Sequence, residues 1–276
     1  MKTRIISAVI AIAIAIIVLV LHNTFVFNLV FGAIAALAVA EIFHATHHIK
    51  FIVPTIACCA YTFIDMFMDV FHRNGWLTFF TNRLYFGALV LYMCVFYLRN
   101  HEKFKYKDFF FMLGVAILIP YSFGTLLLMS YDKSAGMFII VITLCAAWLA
   151  DSGAYFAGTF FGKTKLCPDI SPKKTVEGVV GGVISNGVLM LIITLFYDMF
   201  TDGFEPRYFF ICLSGMIAAV VGLIGDLTAS IIKRQCGIKD YGNIMPGHGG
   251  VMDRFDSLLL VAPFMYYMYS QGLLVK

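Results

Sequence analysis

Asp226, Ser230 and Lys233 interrupt an otherwise apolar stretch at spacings of four and three residues. On a helix these positions share one face, which gathers a carboxylate, a hydroxyl and an ammonium group. A charged Asp turned toward lipid is costly, so this face must line a cavity or meet a partner. The plainer alternative is an Asp226–Lys233 or Asp226–Arg254 pair that glues helices together. A polar run follows: Lys233, Arg234, Lys239 and Asp240, the turn Pro246-Gly247-His248-Gly249-Gly250, then Asp253, Arg254 and Asp256. Glycines so close together let backbone N–H groups approach a ligand, and successive exposed N–H groups bind phosphate oxygens. Asp226 and Asp253, from different segments, are candidates to clamp one hard cation. Mg²⁺ takes a few carboxylates, waters and substrate phosphates rather than an all-protein cage. Asp253 and Asp256 lie three apart at the opening of a further helix. For Asp256, stabilisation by the helix dipole is the simpler account.

A second polar segment runs from Asp151 through Gly162 and Lys163 to Ser171-Pro172-Lys173-Lys174-Thr175 and Glu177. Ser171-Pro172 reads as an N-cap followed by proline at the first helical position. Lys173 and Lys174 then aim cationic donors at an anion seated on that helix start, for which phosphate is the natural candidate. A merely basic loop explains the lysines but not Asp151 or Glu177. Asp151 is again an acid near the end of a long apolar stretch.

The elements that position these groups are apolar. Charged residues make up 13% of the chain and apolar residues 61%, against about 25% charged in soluble domains. A membrane-crossing helix needs about 20 mainly apolar residues. About nine such blocks are present, at roughly 4–21, 25–43, 51–70, 79–98, 109–130, 137–161, 179–198, 207–232 and 256–275. The expected fold is an all-α polytopic membrane protein of about nine transmembrane helices with short loops. The first block is too long for a signal-peptide core and lacks a cleavage site, so it reads as a retained helix.

Of the 20 lysines and arginines, five (Arg73, Arg83, Lys133, Arg207 and Lys276) fall outside if the N-terminus is inside, and the other fifteen fall inside. Positive charge marks the cytoplasmic side. Loops 162–178 and 233–255 are therefore expected on the cytoplasmic face of an integral membrane protein. The net charge of +4 then reflects topology and gives no reason to expect nucleic acid. Residues 1–130 read as scaffold, either lipid-facing wall or the surface of a homodimer. Residues 131–276 carry the chemistry.

Seven scattered cysteines without a Cys-x-x-Cys pair read as buried free thiols. His44, His47 and His48 resemble metal-ligand spacing but read better as interfacial histidines. Glu41, Asp65 and Asp69 read as cavity-lining or helix-pairing acids.

Taken together, Ser230, Lys233, Arg234, Lys239, Asp240, Gly242, Pro246, His248, Gly249, Gly250, Asp253, Arg254 and Asp256 closely resemble the signature of the phosphatidate cytidylyltransferases. The stretch from Asp151 to Gly178 is similar to a second segment of that family. Met245, Ser152 and Thr159 depart from it, Thr159 standing where a basic residue is frequent. The resemblance covers about the last 130 residues well. It implies a nucleotidyltransferase of phospholipid biosynthesis that makes CDP-diacylglycerol and pyrophosphate from CTP and phosphatidate, in a bacterial cytoplasmic membrane. It further implies Mg²⁺ on Asp226 and Asp253, with a second, monovalent cation beside it. Lys233, Arg254 and His248 complete the implied catalytic set. Asp151, Ser171, Lys173, Lys174, Thr175, Glu177, Ser230, Arg234, Lys239, Asp240, Gly249, Gly250 and Asp256 are the implied substrate contacts. Two rivals are a CTP-dependent polyprenol or phytol kinase and a proton-coupled transporter. The transporter class predicts acids near mid-membrane and inverted repeats, whereas these acids cluster at one face.

Overall fold

A backbone in lipid must satisfy its own hydrogen bonds, and the helix does this within a single segment. The computed structural model, which describes residues 13–73, 82–244 and 249–276, accordingly puts a helix in each expected apolar block. These are α1 (residues 13–20), α2 (Phe25–Ala45), α3 (Ile52–Arg73), α4 (Asn82–Arg99), α5 (Tyr106–Ser130), α6 (Gly136–Phe161), α7 (Val176–Met199), α8 (Tyr208–Gln235) and α10 (Leu258–Ser270), with a single turn, α9 (Met252–Phe255), before the last. By length and composition α2, α5, α6, α7 and α8 suffice to cross a membrane, and α3 and α4 hold shorter apolar stretches. A short antiparallel hairpin, β1 (Lys165–Cys167) and β2 (Ser171–Thr175), lies between α6 and α7. The chain forms two compact units, residues 1–127 with 240–254 and residues 128–239 with 255–276.

In the first unit α2 packs along α3. Gly32 admits Phe63 and Met66 against the α2 backbone, and the Asn28 amide donates to the Met66 carbonyl at 2.6 Å. Phe31 of α2 meets Phe123 of α5, while Phe104 stands edge-on to Phe51 and Phe96. Of the three clustered histidines, His48 stacks on Phe111 and pairs with Asp108 at 3.2 Å. Burial pushes its imidazole below the usual range, against the pull of Asp108.

In the second unit α6 and α7 lie so close that a Cβ on Gly182 would come within 2.9 Å of the Ala150 carbonyl oxygen. One on Gly178 would come within 2.8 Å of the Ala154 carbonyl oxygen. Small residues allow such approach where hydrophobic association is weak. Buried Asn186 of α7 donates to the carbonyls of Ala146 on α6 and Gly215 on α8, tying three helices with one side chain.

Asp132 fixes the start of α6. Its Oδ1 accepts the N–H groups of Ser134 and Ala135 and the Ser134 hydroxyl, and Tyr269 of α10 donates to Oδ2. Burial raises this carboxyl, but the hydrogen bonds outweigh it and hold it at about 2, below its ordinary 3.8. A depressed carboxylate contributes stability that is full above the unfolded pKa and is lost as pH falls through the folded one. Thermal unfolding of Asp132→Asn is therefore expected to start lower at neutral pH. Its stability should also change less than that of the parent between about pH 4 and pH 2. Parallel curves for the two proteins over that window would refute the account.

Candidate active site

The second unit holds a cavity of about 530 Å³ walled by α6, α7, α8 and the hairpin. Asp151 enters it from α6, Ser171, Lys173 and Lys174 from β2, and Asp226 from α8. Ala154, Val179, Val183 and Leu223 supply apolar walls. The Lys174 ammonium forms an ion pair with Asp226 Oδ2, the two side chains being 23% and 21% exposed. Asp151 feels both of these charges. The expected α8 face is realised: Lys233, two turns beyond Asp226, is buried and interacts with Asp256, which also feels Asp226 and Asp151. Gly225 permits this, since a Cβ there would come within 2.8 Å of the Asp256 carbonyl oxygen.

The donor chemistry suits a hard cation. These interacting groups comprise three carboxyl groups, Asp151, Asp226 and Asp256, and two ammonium groups, Lys174 and Lys233. Among the described residues no group of three or more His, Cys, Asp or Glu is close enough to hold a metal by itself. The set matches an ion that takes few protein ligands and completes its shell with water and phosphate oxygens, as Mg²⁺ does.

Ser171 and Pro172 do not start a helix. They pair in β2, with Ser171 opposite Cys167 and Thr175 opposite Lys165. The N-cap of α7 is Thr175, whose hydroxyl accepts the Gly178 N–H at 3.1 Å. Proline fits an edge strand as well as a helix start, and the β-branched Thr175 is the better cap once 171–174 are extended. Lys173 and Lys174 thus reach the cavity from a strand. Glu177, expected to meet substrate, accepts the N–H groups of Lys163 and Thr164 at 3.1 and 3.2 Å and pins the end of α6 to the start of α7. Arg234 donates to the carbonyls of Ile170 and Ile238, bracing the hairpin tip.

The first unit contains the signature residues from Asp240 to Arg254. Asp253 Oδ2 accepts the N–H of Tyr241 at 2.8 Å and of Gly250 at 3.0 Å. The Gly250 amide, expected to face phosphate, is thus turned to Asp253. Gly249 has φ +87°, which strains any side chain, and a Cβ on it would lie 3.0 Å from the same carboxylate. Lys239 and Asp240 are exposed, and Ser230 is half-buried on α8. Pro246 and His248 lie outside the described residues. Asp253 and Asp256 do not open one helix together: α9 ends at Phe255, Asp256 turns back to accept the Ser257 N–H at 2.7 Å, and α10 begins at Leu258. Asp and Ser side chains compete with helical hydrogen bonding in this way.

Glu41 is the residue sequence reading undervalued. It is buried at the end of α2, and its two oxygens accept the N–H groups of Val251 and Met252 at 2.9 and 2.7 Å. The available signal was the cost of an acid in an apolar helix, which called for a partner.

The chain matches the cytidylyltransferase family over residues 2–271. A phosphatidate cytidylyltransferase of Haemophilus influenzae is 35% identical over 289 residues, covering 98% of each chain. One from Staphylococcus aureus strain COL is 30% identical over 274 residues, covering 99% of this chain and all of its own. One from Bacillus subtilis is 37% identical over 185 residues, covering 67% of this chain and 66% of its own.

Proposed function

The chain belongs to the cytidylyltransferase family, and from that membership we propose that it is a phosphatidate cytidylyltransferase, making CDP-diacylglycerol and pyrophosphate from CTP and phosphatidate. The observation that carries the reading within the structure is the cavity itself. Lys173, Lys174, Asp151 and Asp226 line it together with Ala154, Val179, Val183 and Leu223. That mixture suits a ligand with a phosphate head and hydrocarbon tails.

A phosphatidate oxygen attacks the α-phosphorus of CTP, the bond from that phosphorus to the β-phosphate oxygen breaks, and pyrophosphate leaves. Such transfers need alignment and charge neutralisation more than covalent help. The phosphate monoester is already anionic at neutral pH, so no dedicated base is required. Lys174, held by Asp226, presents fixed positive charge in the cavity, and Lys173 adds a second cation on the same strand. Thr175 joins that strand to the start of α7, and Glu177 ties the end of α6 to the same helix start. Mg²⁺, when bound, neutralises triphosphate charge and eases departure of the pyrophosphate. Asp226 would hold it, with Asp151 lining the same cavity. The roles of Asp253, Arg254 and His248, and of a monovalent cation, rest on the sequence signature. Nine membrane crossings, with the N-terminus and both polar loops cytoplasmic in a bacterial inner membrane, are the topology the loop charges support.

Purified protein given phosphatidate, Mg²⁺ and CTP labelled at the α- or γ-phosphorus decides the reaction. α-Label in lipid with γ-label in pyrophosphate is expected. γ-Label in lipid would instead indicate a kinase, and no labelled lipid at all would remove the assignment.

A further inference from the structure

We propose that Glu41 is a positioning residue, a buried carboxylate supplied by α2 that fixes residues 249–254 of the signature and through them the orientation of Asp253. Glu41 is 7% exposed, and Val251 and Met252 are 3% and 4% exposed. Without the acid, two buried backbone N–H groups would lose their acceptor, and without those donors a buried carboxylate would be uncompensated. Hydrogen bonds to a charged acceptor are about twice as strong as neutral ones. The contact joins residues 210 positions apart, so it sets the path of the segment where local sequence does not.

Two signature glycines fit the same group. A Cβ on Gly242 or Gly250 would come within 2.5 Å of Glu41 Oε1. Gly242 and Gly250 therefore both pack directly against the carboxylate. Directly beyond it, Asp253 Oδ2 gathers the N–H groups of Tyr241 and Gly250. Glu41 holds residues 251 and 252, Asp253 closes the segment on itself, and the two carboxylates share Gly250 as the point of closest approach. Glu41 thus acts through Asp253 and its neighbours rather than on substrate.

The inference rests on the cytidylyltransferase reading for its kinetic arm but not for its structural arm. Full-length protein in lipid nanodiscs is compared with Glu41→Gln and Glu41→Ala. Hydrogen exchange of the 249–254 peptide should accelerate in both variants while peptides of α3 and α7 stay unchanged. A misplaced site loses up to about 100-fold in rate, so kcat is expected to fall about tenfold in Glu41→Gln and about 100-fold in Glu41→Ala, with the KM for phosphatidate within about twofold. In Glu41→Gln one oxygen still accepts, but the amide NH₂ faces a backbone donor. Gly250→Ala should also be slow, because its Cβ collides with Glu41. Glu41→Ala removes that collision, so the double variant should be no slower than Glu41→Ala alone. Unchanged exchange, kcat within about twofold of the parent, multiplied losses in the double variant, or loosening that spreads to α3 would each overturn the proposal. A parent protein that makes no CDP-diacylglycerol would defeat the functional reading, and the exchange comparison would still decide whether Glu41 holds the segment.

Discussion

Asp226→Asn is expected to lower kcat by about 10³-fold or more at saturating CTP and phosphatidate, with little change in folding. The replacement is isosteric, and its amide oxygen can still accept from Lys174, so the ion pair becomes a hydrogen bond and no void opens. What disappears is one of the three acids in this interacting set, and with it a charged oxygen donor for a divalent cation. Removing a single well-placed electrostatic partner of a transition state costs about 10²–10³ in rate, and a metal ligand stands at the upper end. Initial rates measured across a Mg²⁺ titration, alongside a thermal unfolding curve, check this. Turnover near that of the parent across the whole Mg²⁺ titration would sink the assignment of Asp226 as a ligand.

The parts of this protein that sequence makes legible are those governed by short-range rules. Among the described residues each expected apolar block holds a helix, because lipid leaves the backbone no other partner; the start of the first block lies outside the described residues, and α10 stops at Ser270, short of 275. The Asp226–Ser230–Lys233 face was readable from helical spacing alone, and buried Lys233 beside Asp256 follows from it. Ser171-Pro172 misled because proline is compatible with both a helix start and an edge strand. The choice was made by pairing with Lys165–Cys167, which no local signal announces. The break at Asp256 and Ser257 was hidden for a related reason, since the continuing apolar run masks an Asp256 carboxylate that turns on the Ser257 backbone N–H. Glu41 and Asn186 lie furthest from sequence reading. Each is a lone polar residue in an apolar helix whose partners sit on other helices or 210 residues away. Their cost in lipid says that a partner exists but not which one.

Asp253 separates charge from architecture more sharply than any other position, because two replacements remove different things. In Asp253→Ala the N–H groups of Tyr241 and Gly250 both lose their acceptor, and Tyr241 and Gly250 are buried. Stranding a buried donor costs about 1–3 kcal/mol, so this variant should lose stability as well as activity. Asp253→Asn keeps an oxygen where Oδ2 stands and so can keep both hydrogen bonds, while the negative charge vanishes. If Asp253 serves catalysis by its charge, kcat falls by about 10³-fold in both variants, and only the alanine variant unfolds at a lower temperature. If Asp253 serves only to close the segment, Asp253→Asn turns over like the parent while Asp253→Ala does not. Gly249 packs against the same carboxylate: its φ of +87° strains any side chain, and a Cβ there would lie 3.0 Å from Asp253 Oδ2. The segment is therefore shaped around the Asp253 carboxylate, and an isosteric amide tests its charge without disturbing that shape.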